Sequence, residues 1–212
     1  MFDSSTLLVF VAAAAALLIT PGPAVLYIVT RSIDQGRMAG IASVLGISVG
    51  TLFHVFAAAL GLSAILVSSA LAFDLVKYLG AAYLIYLGVR KLTSKSTEFL
   101  PATVEKQRLS RIFRQGVVVN ILNPKVALFF FAFLPQFVNP ARGSVALQML
   151  LLGLLLVSMG LFSDGMYALL AGTAGNWLKT NRHFLRAQKY ITGTIYIGLG
   201  LTAALAGTHR SQ

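Results

Sequence analysis

Cysteine is absent from these 212 residues, which excludes disulfides, thiolate metal sites and a dithiol relay through a membrane. Charge is scarce as well: 11% of residues are charged and only six are acidic, against 57% hydrophobic and a mean hydropathy of +0.81. No ordinary soluble domain of this length is so apolar, so the composition predicts an integral membrane protein embedded in the lipid bilayer. Of three histidines only His54 falls inside an apolar run, which leaves no transition-metal path and no reason to expect a metal or other cofactor. The runs also lack a pair of carboxylates, a metal-ligand cluster and a Ser/His/Asp group, so the chain does not read as an enzyme. A membrane-embedded enzyme and an accessory membrane subunit are the alternatives to transport.

The net charge of +11 would suit nucleic acid on a soluble surface, but the cations sit in short loops between apolar runs and act as topology signals. No nucleic-acid partner is expected. The N-terminus has Asp3 and no Lys or Arg before a run too long for a signal core, so the first thirty residues read as a retained helix.

Apolar runs at about 5–30, 39–63, 70–90, 115–138, 145–172 and 189–207 predict six transmembrane helices. The third requires Lys77 to snorkel. The first loop holds Arg31 and Arg37, the third holds seven cations from Arg90 to Arg114, and the fifth holds Lys179, Arg182, Arg186 and Lys189. These are thirteen of the 17 Lys and Arg. The positive-inside rule then places both termini outside. A single transmembrane domain over 1–212 divides into a repeat at about 1–92, a basic cytoplasmic linker at about 93–113 and a second repeat at about 114–212. The halves correspond: Pro21 with Pro124, Gly50 to His54 with Gly160 to Asp164, and Lys77-Tyr78-Leu79-Gly80 with Lys189-Tyr190-Ile191-Thr192. Three helices per half give the copies opposite orientation, an inverted repeat of the kind found in secondary transporters.

Helices one and four are interrupted. Thr20-Pro21-Gly22-Pro23 lies in a stretch without charge from Ser4 to Thr30, and its prolines remove two backbone donors. In hydrocarbon such a break is tolerated only against protein or a watery cavity, so it points to a site. Asn120-Ile121-Leu122-Asn123-Pro124-Lys125 is the second break, with Asn123 as N-cap and Pro124 in the first turn. Lys125 then lies where the helix dipole is already positive and needs a partner. It either snorkels to the cytoplasmic surface, binds a substrate carboxylate together with the amides after Pro21 and Asn123, or pairs with Asp164. An acid in the otherwise uncharged run 143–178 is a functional candidate for a proton or a substrate amine, or else a carboxylate at the cytoplasmic mouth. His54, with Asn120 and Gln136, either lines a polar path or ties helices together. Arg31, Asp34 and Arg37 either fix topology or form a gate. Gly46 and Gly50 form a small-residue face for contact within the subunit or across a homodimer, and the aromatic run Phe129 to Phe133 reads as packing or lipid contact, with a substrate-facing ring as the alternative.

These residues together resemble the lysine-exporter family (LysE/RhtB). The likeness rests on Thr20-Pro21-Gly22-Pro23, Gly36-Arg37, Gly40, Gly46, Gly50, Gly61-Leu62, Lys77 to Leu84, Gly88, Asn120 to Lys125, Leu134-Pro135-Gln136-Phe137 and Asp164, spread over nearly the whole chain. The resemblance implies a six-helix exporter of amino acids in the bacterial inner membrane, driven by proton exchange. It carries over Pro21, Gly22, Pro23, Asn123, Pro124, Lys125 and Asp164 as positions matching the family pattern. It does not choose the amino acid.

Overall fold

The computed structural model describes residues 2–62, 64, 70–93 and 107–180, with six isolated positions between 190 and 204. The expected sixth span at 189–207, and most of the linker, lie outside the described residues. Among the described residues seven α-helices are formed: α1 (Ser4–Ile19), α2 (Pro23–Gln35), α3 (Arg37–Ala57), α4 (Ala70–Thr93), α5 (Leu109–Ile121), α6 (Pro124–Leu128) and α7 (Val145–Thr180). A π-helical turn, Ala58–Leu62, extends α3. Another, Phe129–Phe133, extends α6 and leads into a 3-10 turn, Leu134–Phe137. No strand occurs among the described residues.

Among the described residues two uninterrupted apolar stretches are long enough to cross a membrane, Arg37–Gly61 with 25 residues and Val145–Ala171 with 27. At 1.5 Å per residue they reach about 37 and 40 Å, more than the ~30 Å of hydrocarbon. Two further stretches qualify only as bent pairs. Ser4–Ile19 and Pro23–Gln35 meet at 50°, and Leu109–Ile121 and Pro124–Phe137 at 45°. Each bend falls where proline takes away a ladder donor. The apolar span of α7 ends at Ala171, close to the 172 read from the sequence, and the helix itself runs on to Thr180. The α2–α3 corner is turned by Gly36, whose φ of +85° lies in the left-handed region that favours glycine. Its N–H closes α2 on the carbonyl of Ser32 at 3.0 Å.

Lipid supplies no hydrophobic force between helices, so close backbone packing must hold the bundle. The small-residue face of α3 does this within the subunit. A Cβ on Gly46 would run into the carbonyl of Phe113, and one on Gly50 would stand 2.7 Å from Cβ of Asn120. Both neighbours are on α5, so α3 and α5 pack backbone to backbone beside the second break. The phenylalanine run is packing too: Phe129, Phe130 and Phe133 are buried, and Phe10 of α1 meets Phe137 edge-on with centroids 5.3 Å apart. Large apolar side chains cover the outside, such as Leu8, Leu60 and Phe162 at 70% exposure or more. An apolar surface of that extent belongs in lipid, and the chain is a membrane protein.

The ends of the bundle are also tied. At one end Arg142 pairs with Asp3, joining the turn before α7 to the start of α1. At the other, Arg31 donates from Nη2 to Oε1 of Gln107 at 3.1 Å and of Gln115 at 2.8 Å, and its guanidinium stands 5.5 Å from the Tyr27 ring centre.

Candidate functional site

In an unbroken helix the carbonyls of Ile19 and Thr20 would take the N–H groups of residues 23 and 24. Residue 23 is proline and has none, and the bend carries residue 24 away. Both carbonyls instead find side-chain donors from the second half of the chain. Lys125 donates from Nζ to the carbonyl of Thr20. Tyr167 of α7 donates its hydroxyl to the carbonyl of Ile19 at 3.0 Å. The end of α1 is the negative pole of that helix, so the Lys125 ammonium has both a hydrogen bond and a favourable dipole. Thr20 itself is fully buried, its hydroxyl turned back to the carbonyl of Ala16 at 2.6 Å.

At the second break Asn123 caps α6: its Oδ1 accepts from the Lys125 N–H at 3.1 Å. Asn120 is fully buried and ties the break to α3. Its Nδ2 donates to the carbonyl of Ile47 and to Oγ1 of Thr51, both at 2.8 Å. Its Oδ1 accepts from Nδ2 of Asn123 at 3.4 Å. A chain of amides therefore leads from α3 to the residue that seats Lys125.

The two breaks open on one cavity of about 50 Å3, with Gly22, Asn120, Asn123, Lys125 and Asp164 in its wall. A single water needs about 10–15 Å3, so the cavity has room for several such groups. Lys125 and Asp164 are each 6% exposed. They do not form an ion pair with each other. Lys125 is turned inward to Thr20 rather than to a surface, and Asp164 meets the cavity with no hydrogen bond from a described residue. Lys125 lies close enough to act on Asp164 through its charge but not to form an ion pair with it, so a carboxylate buried in this position still favours a cationic or donating occupant.

Other predicted residues lie around this centre. Pro21, Pro23 and Pro124 are outside the cavity wall; their contribution is the missing donors. His54 is a helix tie, with Nε2 3.1 Å from the Asn120 carbonyl and its ring stacked on Phe130. Gln136 donates to the carbonyl of Ala132 at 2.7 Å, within its own segment. Arg31 is buried among Gln107, Gln115 and Tyr27, while Arg37 is exposed. Sequence reasoning missed Ser48 and Thr51 in the cavity wall and Tyr167 beside it. Two hydroxyls three residues apart, on one side of α3 and away from the Gly46 and Gly50 face, were the available signal.

A family model described as LysE type translocator matches residues 15–207. The chain is 33% identical over 210 residues to an uncharacterized membrane protein, YrhP, of Bacillus subtilis (strain 168), covering 95% of this chain and 99% of that one. It is 30% identical over 188 residues to a homoserine/homoserine lactone efflux protein of Salmonella typhimurium, covering 89% and 90%. An uncharacterized membrane protein of Vibrio cholerae is 30% identical over 190 residues, covering 89% and 91%. No solved structure matches the chain.

Proposed function

The chain belongs to the LysE type translocator family, and on that premise we propose that it exports a small neutral amino acid or a derivative by proton-coupled alternating access. It is a transporter of the membrane and not an enzyme. The proposed frame is six spans in two inverted repeats, with helices one and four broken, in a bacterial inner membrane with both termini outside.

One observation carries the reading: Lys125 and Asp164, both buried, face one cavity between the two breaks without pairing to each other. A zwitterion complements that arrangement. Its carboxylate takes the Lys125 ammonium in place of the Thr20 carbonyl, a charge-assisted bond stronger than the neutral one it replaces. Its amine takes Asp164, and release of the amine leaves that carboxylate to accept the exchanged proton. Gly22 and Asn123, where α2 and the α6 segment begin, flank the carboxylate position.

The small cavity and the hydroxyls of Ser48 and Thr51 favour a short, polar side chain. Ser48 donates to the carbonyl of Val44 at 2.9 Å, which leaves its oxygen able to accept from a substrate hydroxyl. The Salmonella relative is named for efflux of homoserine and its lactone, and homoserine fits this description. The test is uptake into everted vesicles under an imposed proton gradient. Homoserine or threonine should accumulate well ahead of lysine; no gradient-dependent uptake of any amino acid sinks the proposal.

A further inference from the structure

Each helix break leaves a carbonyl without its helical donor, and the other half of the chain supplies a replacement: the donor at Ile19, and a second donor beside a local turn at Asn120. Residues 23 and 124 would serve the carbonyls of Ile19 and Asn120, four positions earlier; both are proline. Ile19 accepts from the Tyr167 hydroxyl at 3.0 Å. Asn120 accepts from the Asn123 N–H, in a tight turn at 3.1 Å, and from Nε2 of His54, also at 3.1 Å. Because the partner is a carbonyl, Nε2 carries the proton. The imidazole plane is set by Phe130, stacked at 18° with centroids 5.9 Å apart. His54 is 4% exposed and Asn120 fully buried, so no solvent donor competes.

Both bonds end beside the cavity without entering it. Ile19 precedes Thr20, whose carbonyl holds Lys125, and Tyr167 is three residues past Asp164 on the same helix. Asn120 is in the cavity wall and bonds to Asn123, the cap that seats Lys125. Neither Tyr167 nor His54 lines the cavity.

We propose that Tyr167 and His54 are reciprocal positioning residues, each supplying from one half of the chain the donor that proline removes from the broken helix of the other. Together they fix both bends and hold Lys125 and Asp164 on one cavity. A change at either break is thereby felt at the other. The proposal rests on the cavity being the transport site, so its test reads geometry first and transport second.

The chain has no cysteine, and a single one in place of Ser48 reports on the cavity wall. In membrane vesicles, labelling of Ser48→Cys by a small methanethiosulfonate reagent is timed in four backgrounds: native, Tyr167→Phe, His54→Phe and His54→Gln. Tyr167→Phe and His54→Phe should each change the rate about threefold or more, the order expected for losing one hydrogen bond. His54→Gln, whose amide can donate to the same carbonyl, should keep the native rate and restore the transport turnover that His54→Phe lowers. Native labelling in both phenylalanine variants, or a change in one alone, overturns the reciprocal arrangement. Where His54→Phe does not insert, Tyr167→Phe decides alone, since it removes a single oxygen and native labelling in it overturns the proposal. Altered labelling in a chain whose native form moves no amino acid would retire the transport reading and leave the caps standing.

Discussion

The ammonium of Lys125 and the carbonyl of Thr20, 105 residues apart, meet across the two helix breaks in a hydrogen bond that seals the end of α1. Each needs the other. The carbonyl has lost its backbone donor to the bend, and the ammonium stands at the start of a helix segment where its own dipole repels it. This pairing explains how a buried lysine is tolerated before any substrate arrives. It also makes the lysine available, because a carboxylate is a better partner than a carbonyl.

Replacing Lys125 by methionine keeps the stem and removes the charge. The Thr20 carbonyl is then buried without a donor, at a cost of about 1–3 kcal/mol. Transport should fall at least about tenfold below native, since a hydrogen bond to a charged group contributes roughly 1.5–3 kcal/mol. Insertion, followed by the yield of monodisperse protein in detergent, should persist. Undiminished export by Lys125→Met or Lys125→Ala removes this residue from the site.

Asp164→Asn preserves shape and removes the titrating group. Export driven by a proton gradient should disappear, while exchange of labelled for unlabelled amino acid across the membrane continues at reduced affinity. The comparison is made in the same vesicles with and without an uncoupler. Gradient-driven accumulation in Asp164→Asn would show that the proton travels by another group.

Asn123→Ala deletes the cap of α6 and loosens the seat of Lys125. N-cap losses cost about 1 kcal/mol, and serine recovers most of it. The apparent KM should therefore rise roughly fivefold in Asn123→Ala and return towards native in Asn123→Ser. Equal KM values in the two variants would separate the cap from substrate binding.

Gly50→Ala tests the α3–α5 contact. The added methyl would stand 2.7 Å from Cβ of Asn120 and 2.9 Å from the carbonyl of Val117, closer than carbon atoms pack, so α5 must shift. Overpacking costs typically 1–3 kcal/mol, so the unfolding midpoint in detergent should drop by roughly 2–10 °C. Gly61→Ala, where a Cβ meets nothing within 4 Å, is the control and should leave the midpoint unchanged.

The breaks were legible in the sequence because proline acts locally: it removes a donor whatever surrounds it, and the structure bends by 50° and 45° at the two motifs. Asn123 was legible as a cap for the same reason. The partners were not. Spacing put Lys125 in a first turn but could not say that its acceptor would be the carbonyl of Thr20. The role of Tyr167 depends wholly on how α7 lies against α1, which no periodicity encodes. The face formed by Gly46 and Gly50 announced a close contact, and only the fold assigned it to α5. The apolar span of α7 was legible to within a residue, ending at Ala171, because polarity rises after it; the helix itself continues to Thr180 because no proline stops it.

The most direct test of the account is the position of a bound amino acid. A structure of the transporter solved with homoserine should place the carboxylate about 2.7–2.9 Å from Nζ of Lys125, the length of a charge-assisted bond, with the amine turned to Asp164. A carboxylate bound away from Lys125, with the Lys125 to Thr20 hydrogen bond intact, would contradict it.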